Sequence, residues 1–256
     1  MKPSIPPTKS LYFVLIGPLA GIAFWALVAH ARWISPLFLP APGQVLLQLW
    51  TDFATGQILP HVAATLLRVT VGCGLGISLG IFLGLVLGYW PTAYACCEPL
   101  IDFFRSIPIA CLFPLFLVIL GIGDKAKIGT AAWASTFIVL LSTVYGVRHA
   151  NPTRILVAKS LRANELQLFT KILLPEALPH IMVGCRTATS LGLVVVLVTE
   201  MFMGTETGLG REIYDASIVY RTPKLYSGIL VTGLLGYCLN RAFVALERRV
   251  VHWKCE

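Results

Sequence analysis

Residues 66–89 of the chain read LLRVTVGCGLGISLGIFLGLVLGY. A run of this length can cross a bilayer as a tilted helix, which needs about 20 predominantly apolar residues. Glycine recurs at every fourth position within it, at Gly72, Gly76, Gly80, Gly84 and Gly88. Residues four apart share one helix face, and a face without side chains lets another helix approach closely in lipid. The stretch therefore predicts a membrane-spanning helix that packs through its glycine face.

Other apolar runs of similar length lie on both sides of this stretch. They cover residues 11–29, 100–122, 128–147, 183–204 and 226–246. Of the 256 residues, 57% are hydrophobic and only 12% are charged, whereas soluble domains carry about 25% charged residues. No run shows the alternating pattern of a β-barrel strand. We predict an all-α integral membrane protein, with six transmembrane helices in a single domain over residues 1–256.

The basic residues indicate the orientation of these spans. With the N-terminus inside, the inner loops carry more Lys and Arg than the outer loops, as the positive-inside rule requires. Six spans put both termini on the same side, so we predict that both are cytoplasmic in a bacterial inner membrane. The net charge of +8 is scattered between apolar runs, which argues against nucleic-acid binding. The first run could be a cleaved signal peptide, but its length favours a retained anchor.

Catalytic and cofactor motifs are missing from the sequence. The seven cysteines contain no CxxC pair, which argues against a metal site or a disulfide framework. The five histidines fall at or beyond the span ends, away from any intramembrane catalytic set. No stretch matches GxxxxGK[ST], the loop that cradles nucleotide phosphates. We therefore expect no catalytic residue, no metal and no cofactor in this chain.

Charged residues inside spans are costly and are candidate functional sites. Asp102 and Arg105 lie three residues apart near the start of the third span, and Glu200 lies towards the outer end of the fifth. All three are candidates for the translocation path. The simpler alternatives are mutual pairing for Asp102 and Arg105, and a hydrogen bond to a neighbouring helix or contact with the interface for Glu200. Arg68 could attract an anion, but we favour a role in anchoring the second span.

Residues 148–182 form the longest inner loop and have an amphipathic pattern of their own. Apolar residues recur at helical spacing in two segments, one around Leu156 and Leu161 and one from Leu166 to Leu173. Pro175 and Pro179 are expected to end the second segment. Two such helices could bind a partner protein or lie on lipid headgroups, and periodicity alone favours neither.

The same loop resembles a known family signature. Residues 157–163, VAKSLRA, and 172–179, ILLPEALP, are similar to the cytoplasmic "EAA" loop of type I ABC importer permeases, in particular the nitrate, sulfonate, taurine and bicarbonate group. Further similarity covers TVYGVR at 143–148, TEM at 199–201, GLG at 208–210 and ERRVVHW at 247–253. The resemblance extends over nearly the whole chain beyond Pro40.

Two positions depart from the family pattern. Leu156 stands where the signature usually has glutamate, and Arg162 where it usually has glycine. A glycine there permits a sharp turn with positive φ. An arginine must either adopt a less constrained turn or accept strain of about 1 kcal/mol.

The resemblance implies the permease subunit of an ATP-driven, binding-protein-dependent importer of a small solute, and the expected solute is an anion such as nitrate, sulfonate, taurine or bicarbonate. The partners it implies are ATP-binding cassette ATPase subunits that hold ATP and Mg, an extracytoplasmic solute-binding protein, and a second permease subunit, as a homodimer. A coupling helix in the loop would dock on the ATPase. The docking residues implied are Ala158, Ser160, Leu161, Ala163, Leu166, Phe169, Leu174 and Pro175. The alternative function is an ion-coupled secondary transporter, which should show inverted repeats that we do not find.

Overall fold

A computed structural model describes residues 7–251, with side chains from residue 16 onward, and the described chain is helical without strands. The helices are α1 (Pro7–His30), α2 (Pro42–Ala54), α3 (Leu59–Tyr89), α4 (Pro91–Ser106), α5 (Ile109–Leu120), α6 (Asp124–Arg148), α7 (Pro152–Ser160), α8 (Glu165–Leu168), α9 (Leu174–Phe202), α10 (Leu209–Ile218) and α11 (Thr222–Val250). A π-helical turn, Phe169–Leu173, joins α8 to α9. The all-α class is confirmed.

The chain divides into two compact units. One contains residues up to 59 together with 212–231, and the other contains 60–211 together with the residues from 232 onward. In the first unit, the buried carboxylate of Asp52 accepts hydrogen bonds from Gln48 Nε2 at 2.8 Å and from Ser227 Oγ at 3.1 Å. The indole of Trp25 stacks on the Tyr226 ring at a centroid distance of 5.9 Å. These polar and aromatic contacts fix α2 and the start of α11 within that unit.

The second unit is built on the packing of α3, α6 and α9. All five glycines of the repeat in α3 are buried, and the atoms nearest to them belong to α6. Helix α6 also packs on α9, where Val139 and Val147 form a cluster with Ala177, Ile181 and other small or branched residues. Small residues at these contacts let the backbones come close, which supplies packing energy where lipid gives little hydrophobic drive between helices.

Within the residues that the structure describes, four helices are long and apolar enough to cross a membrane: Leu59–Tyr89, Asp124–Arg148, Glu165–Phe202 and Thr222–Val250. The bent pair formed by α4 and α5 would add a fifth span. Helix α1 contains the predicted first span, but its side chains before residue 16 lie outside the described ones. The count of six transmembrane helices therefore stays a prediction.

The third span is not the single helix expected over residues 100–122. Helix α4 ends at Ser106, α5 starts at Ile109, and their axes meet at 93°. Pro108 causes the break, because it has no N–H for the helix ladder and disfavours the helical conformation at the residue before it. Ile107 accordingly has an extended backbone, with φ −70° and ψ 121°.

The glycine face of α3 can be tested by substitution. A Cβ at Gly80 would lie 2.7 Å from the Thr136 carbonyl oxygen, whereas a Cβ at Gly74 meets nothing within 4 Å. We expect Gly80→Leu to lower the free energy of unfolding by about 3 kcal/mol, because overpacked helices must separate. Gly74→Leu, on the same helix, is the matched control and should change it little. Denaturation in detergent micelles measures the free energy of unfolding of the two variants. An equal loss in both would contradict close packing of α3 on α6.

Candidate functional site

Helix α7 forms the first part of the inner loop, and both of its ends are capped. At its start, the Asn151 side chain accepts a hydrogen bond from the Thr153 N–H at 2.9 Å. At its end, the Arg162 N–H donates to the Lys159 carbonyl and the Ala163 N–H to the Ala158 carbonyl, both at 3.0 Å. This pair of bonds is the Schellman motif, which satisfies carbonyls left free at a helix C-terminus. The turn after α7 is therefore fixed by backbone hydrogen bonds.

Arg162 occupies the left-handed position of this motif, with φ +57°. Glycine is the usual residue there, because a Cβ clashes with the backbone at positive φ. Of the two alternatives that the sequence leaves open, the chain thus keeps the sharp turn and accepts the strain. The geometry expected of a glycine is preserved with an arginine in its place.

The second part of the loop differs from the prediction. The side chain of Asn164 caps α8 by accepting from the Gln167 N–H at 2.8 Å. The chain then passes through the π-helical turn directly into α9, so that residues 165–202 are one continuous helix of 38 residues. Pro175 lies in the first turn of α9 and Pro179 lies inside it. Neither proline ends a helix.

The π-helical turn explains why Pro175 is tolerated. The Leu174 N–H bonds to the Phe169 carbonyl, five residues back. This wider turn lies just before Pro175, where a proline ring would otherwise press on the carbonyl four residues earlier. The boundary predicted at residue 182, between loop and span, stays a prediction, because a continuous helix can extend beyond the membrane.

Apolar side chains are exposed on both parts of the loop. Leu161 is 78% exposed and Leu166 is 70% exposed, and Leu156 and Val157 are also exposed. We call these four residues the exposed apolar surface. Of the other docking residues implied by the resemblance, Ser160 is exposed, Ala163, Phe169, Leu174 and Pro175 are partly buried, and Ala158 is buried. The docking role of all of them stays a prediction.

Tyr89, at the end of α3, contacts the loop directly. Its hydroxyl donates to Glu165 Oε2 at 2.5 Å, and its ring meets the Phe169 ring edge to face at a centroid distance of 5.7 Å. One polar and one aromatic contact thus join α3 to the start of the 38-residue helix. No pattern in the sequence indicates this contact, because the two segments are far apart along the chain.

Glu200 lies in a buried ionic cluster between α3 and α9. Its side chain has no exposed surface, and Arg68 is 3% exposed. Arg68 Nη1 donates to Glu200 Oε1 at 2.6 Å, and Thr65 Oγ1 lies 2.9 Å from both carboxylate oxygens. The Gly210 N–H donates to Glu200 Oε2 at 2.9 Å. Of the roles left open for Glu200, the structure shows the hydrogen bond to a neighbouring helix, and a place on the translocation path stays untested.

Arg68 is fully engaged by groups within the protein. Besides Glu200, it bonds Asp124 Oδ1 through Nε at 2.8 Å, the Thr207 carbonyl at 2.7 Å and Thr205 Oγ1 at 3.1 Å. Beside it, the buried Lys127 donates to the Gly123 and Gly204 carbonyls. The guanidinium is buried between the carboxylates of two other segments, and the role of Arg68 in anchoring its helix stays a prediction. The sequence places Arg68 and Glu200 near the same end of their spans, which is compatible with a pair but does not predict one.

Asp102 and Arg105 form a separate ion pair on α4. Arg105 Nε donates to Asp102 Oδ1 at 2.7 Å, and about half of each side chain is exposed. The structure thus shows the local pairing that was the simpler alternative for these residues. It does not bring them together with Glu200, and a role on the translocation path stays a prediction.

Comparison with known proteins places the chain in a family. Residues 76–252 match the binding-protein-dependent transport system inner membrane component family. The chain belongs to this family. It is a multi-pass inner membrane permease subunit, as the signature residues of the loop indicated.

Curated relatives of the permease match it over most of their length. It is 33% identical to the taurine transport system permease protein TauC of Escherichia coli, covering 94% of this chain and 90% of that protein. It is 32% identical to the putative aliphatic sulfonates transport permease protein SsuC of Escherichia coli, covering 92% and 89%. A solved structure of the MetNI methionine ABC transporter in an inward-facing conformation matches with a TM-score of 0.68 at 20% identity, covering 78% of the permease and 98% of that chain. This last likeness supports the fold.

The strain at Arg162 predicts a stabilising substitution. Arg162→Gly and Arg162→Ala remove the same side chain, but only glycine relaxes at positive φ. We expect the glycine variant to be more stable than the alanine variant by about 1 kcal/mol. Denaturation in detergent micelles measures the difference. Equal stabilities would show that the turn carries no strain.

The buried and the exposed ion pairs should respond differently to loss of a carboxylate. Glu200→Ala leaves Arg68 buried without one of its partners, so we expect a loss of about 3–5 kcal/mol in the free energy of unfolding. Asp102→Ala removes the same group from an exposed pair and should cost about 0–1 kcal/mol. The same micelle denaturation assay compares them. A Glu200→Ala variant as stable as Asp102→Ala would contradict the structural role of the cluster.

Proposed function

We propose that the permease docks on a cytoplasmic ATPase through the exposed apolar surface of the inner loop, and that ATP binding there drives solute import. The observation that carries this proposal is the exposure of Leu156, Val157, Leu161 and Leu166 on a loop whose turns are fixed by backbone and capping bonds. Apolar side chains held in this way on a rigid frame are typical of a surface that a partner protein covers. The family membership identifies the partner class.

Two routes connect this surface to the membrane spans. The first is the continuous helix 165–202, which begins at the surface and runs through the membrane. The second is Tyr89, which bonds Glu165 and joins the surface to α3. Motion of the docked loop would therefore displace α9 and α3 together, and α6 with them through its close packing on both helices. This supports an alternation between outward-open and inward-open states.

The remaining features of the assembly follow from the same proposal. The chain does not hydrolyse ATP, and ATP and Mg are held by the ATPase subunits. A solute-binding protein delivers the solute from outside, and a second copy of the permease completes the pathway as a homodimer. The chain forms one transmembrane domain of six spans with both termini in the cytoplasm.

We propose small sulfonates as the substrate class, within the wider group of nitrate, sulfonates, taurine and bicarbonate. Support comes from the relatives, whose names specify taurine and aliphatic sulfonates. The basic residues of the outer loops give little further support for an anionic substrate, because two of them are paired with carboxylates. Arg68 is paired with Glu200 and Asp124, and Lys224 lies 2.5 Å from Glu212. Uptake into liposomes, with a candidate ATPase and solute-binding protein added, tests the substrate against a panel of taurine, ethanesulfonate, nitrate and bicarbonate. ATP-independent uptake driven by an ion gradient would overturn the proposal.

Docking can be tested with an acidic substitution on α7 and a matched control. Leu161→Asp places a charge in the exposed apolar surface, and we expect the amount of co-purified ATPase to fall by at least about tenfold, since burying an unpaired charge is costly. Thr153→Asp introduces the same charge at the N-terminal end of the same helix, where it is favourable, and should leave co-purification unchanged. Ala163→Arg should likewise uncouple ATP hydrolysis from transport. Wild-type ATPase recovery and stimulation in the Leu161 and Ala163 variants would count against docking at this surface.

A further inference from the structure

A polar cleft of about 590 Å³ opens beside the docking loop, at the end of α6 that carries Arg148. Its lining includes His149 after α6, Arg154 on α7, Lys171 in the π-helical turn, and Glu176 and His180 on α9. The Tyr145 ring stacks on His149 at a centroid distance of 3.9 Å and meets His180 edge to face at 5.1 Å. The cleft is therefore bounded by the span helices on one side and by the docking loop on the other.

The charges in this cleft do not cancel. Arg154 pairs with Glu176, the one acidic residue in the described lining. Within residues 16–251, Glu176 is the only side chain that Arg154 bonds, and Lys171 has no hydrogen-bond or ion-pair partner. Arg154, Lys171 and Glu176 together give the lining a formal charge of +1. Several guanidinium N–H groups and one ammonium group thus remain available to an anion.

We propose that this cleft binds a phosphate group, supplied by the headgroup of an anionic phospholipid or by free phosphate. Guanidinium and ammonium groups are the side chains that bind phosphate oxygens best, and a single net positive charge matches a phosphodiester. The cleft lies where a membrane span ends, the depth at which basic pockets between helices contact lipid headgroups. This site is separate from the exposed apolar surface and does not depend on ATP coupling.

A phosphate group in the cleft would connect two parts of the docking loop. Arg154 belongs to α7 and Lys171 to the π-helical turn that leads into α9. An oxyanion held by both would restrain α7 relative to the 38-residue helix. The composition of the inner leaflet would then influence how stiffly the docking loop is held.

Binding to the full-length permease in detergent tests the proposal with three probes. They are dioctanoyl phosphatidylglycerol, inorganic phosphate, and dioctanoylglycerol, which has the acyl chains without the phosphate. We expect Arg154→Gln/Lys171→Gln to raise the apparent Kd for the phosphatidylglycerol by at least about tenfold. Lys159→Gln/Arg248→Gln makes the same change in charge at exposed positions outside the cleft and should alter the Kd less than about twofold. Native mass spectrometry and thermophoresis give the Kd values.

The outcomes separate the sources of the phosphate. Loss of phosphatidylglycerol binding in the cleft variant, with no binding of inorganic phosphate, supports a lipid headgroup. Parallel loss for inorganic phosphate supports a free anion. Equal binding by wild-type and cleft variant, or equal binding of dioctanoylglycerol, overturns the proposal. Lys171→Gln alone provides a second variant, because that side chain makes no described polar contact within the protein. No ATPase is present, so failure here is distinct from failure of the docking proposal.

Discussion

The close approach of α3 and α6 is the constraint on which the second unit depends. A Cβ at each of the five repeat glycines of α3 would lie within 3 Å of an α6 atom, and at Gly72, Gly76, Gly80 and Gly84 a backbone carbonyl of α6 is among the nearest atoms. In lipid this contact replaces the hydrophobic drive that holds soluble helices together. Val139 and Val147 of α6 lie against the α3 glycines and also belong to the apolar cluster with α9, so the same α6 side chains contact both neighbouring helices. Three helices are thereby held as one body.

Much of this architecture could be predicted from the sequence, because lipid forces the backbone into helices of a narrow range of lengths. The glycine repeat of α3 was visible as a spacing, and its partner helix was not. The break at Pro108 was visible as a residue, but an apolar run of span length concealed its effect. Pro175 and Pro179 predicted the end of a helix that in fact continues. A π-helical turn accommodates the first, and the second is tolerated inside α9. Single prolines therefore do not decide whether a membrane helix ends.

The candidate sites also divide into features that local sequence predicts and contacts between residues far apart along the chain. The loop signature and the amphipathic pattern indicated the segment proposed for docking, because they depend on local sequence. The contact between Tyr89 and Glu165 and the pair of Arg68 and Glu200 join residues 76 and 132 positions apart, and a single sequence carries little information on such pairs. The strain at Arg162 is an intermediate case, in which the departure from the family pattern was visible and only its resolution needed the structure.

The continuous helix 165–202 has a mechanical consequence. At about 1.5 Å per residue, its 38 residues extend roughly 57 Å, longer than the hydrocarbon core of about 30 Å. A stiff rod of this length that pivots near its middle moves its two tips by equal distances in opposite directions. The π-helical turn, Phe169–Leu173, is a widened segment near one tip, and bending there would shorten the stroke at the far tip. The stiffness of these five residues would therefore decide how much of a displacement at one end of the helix reaches the other end.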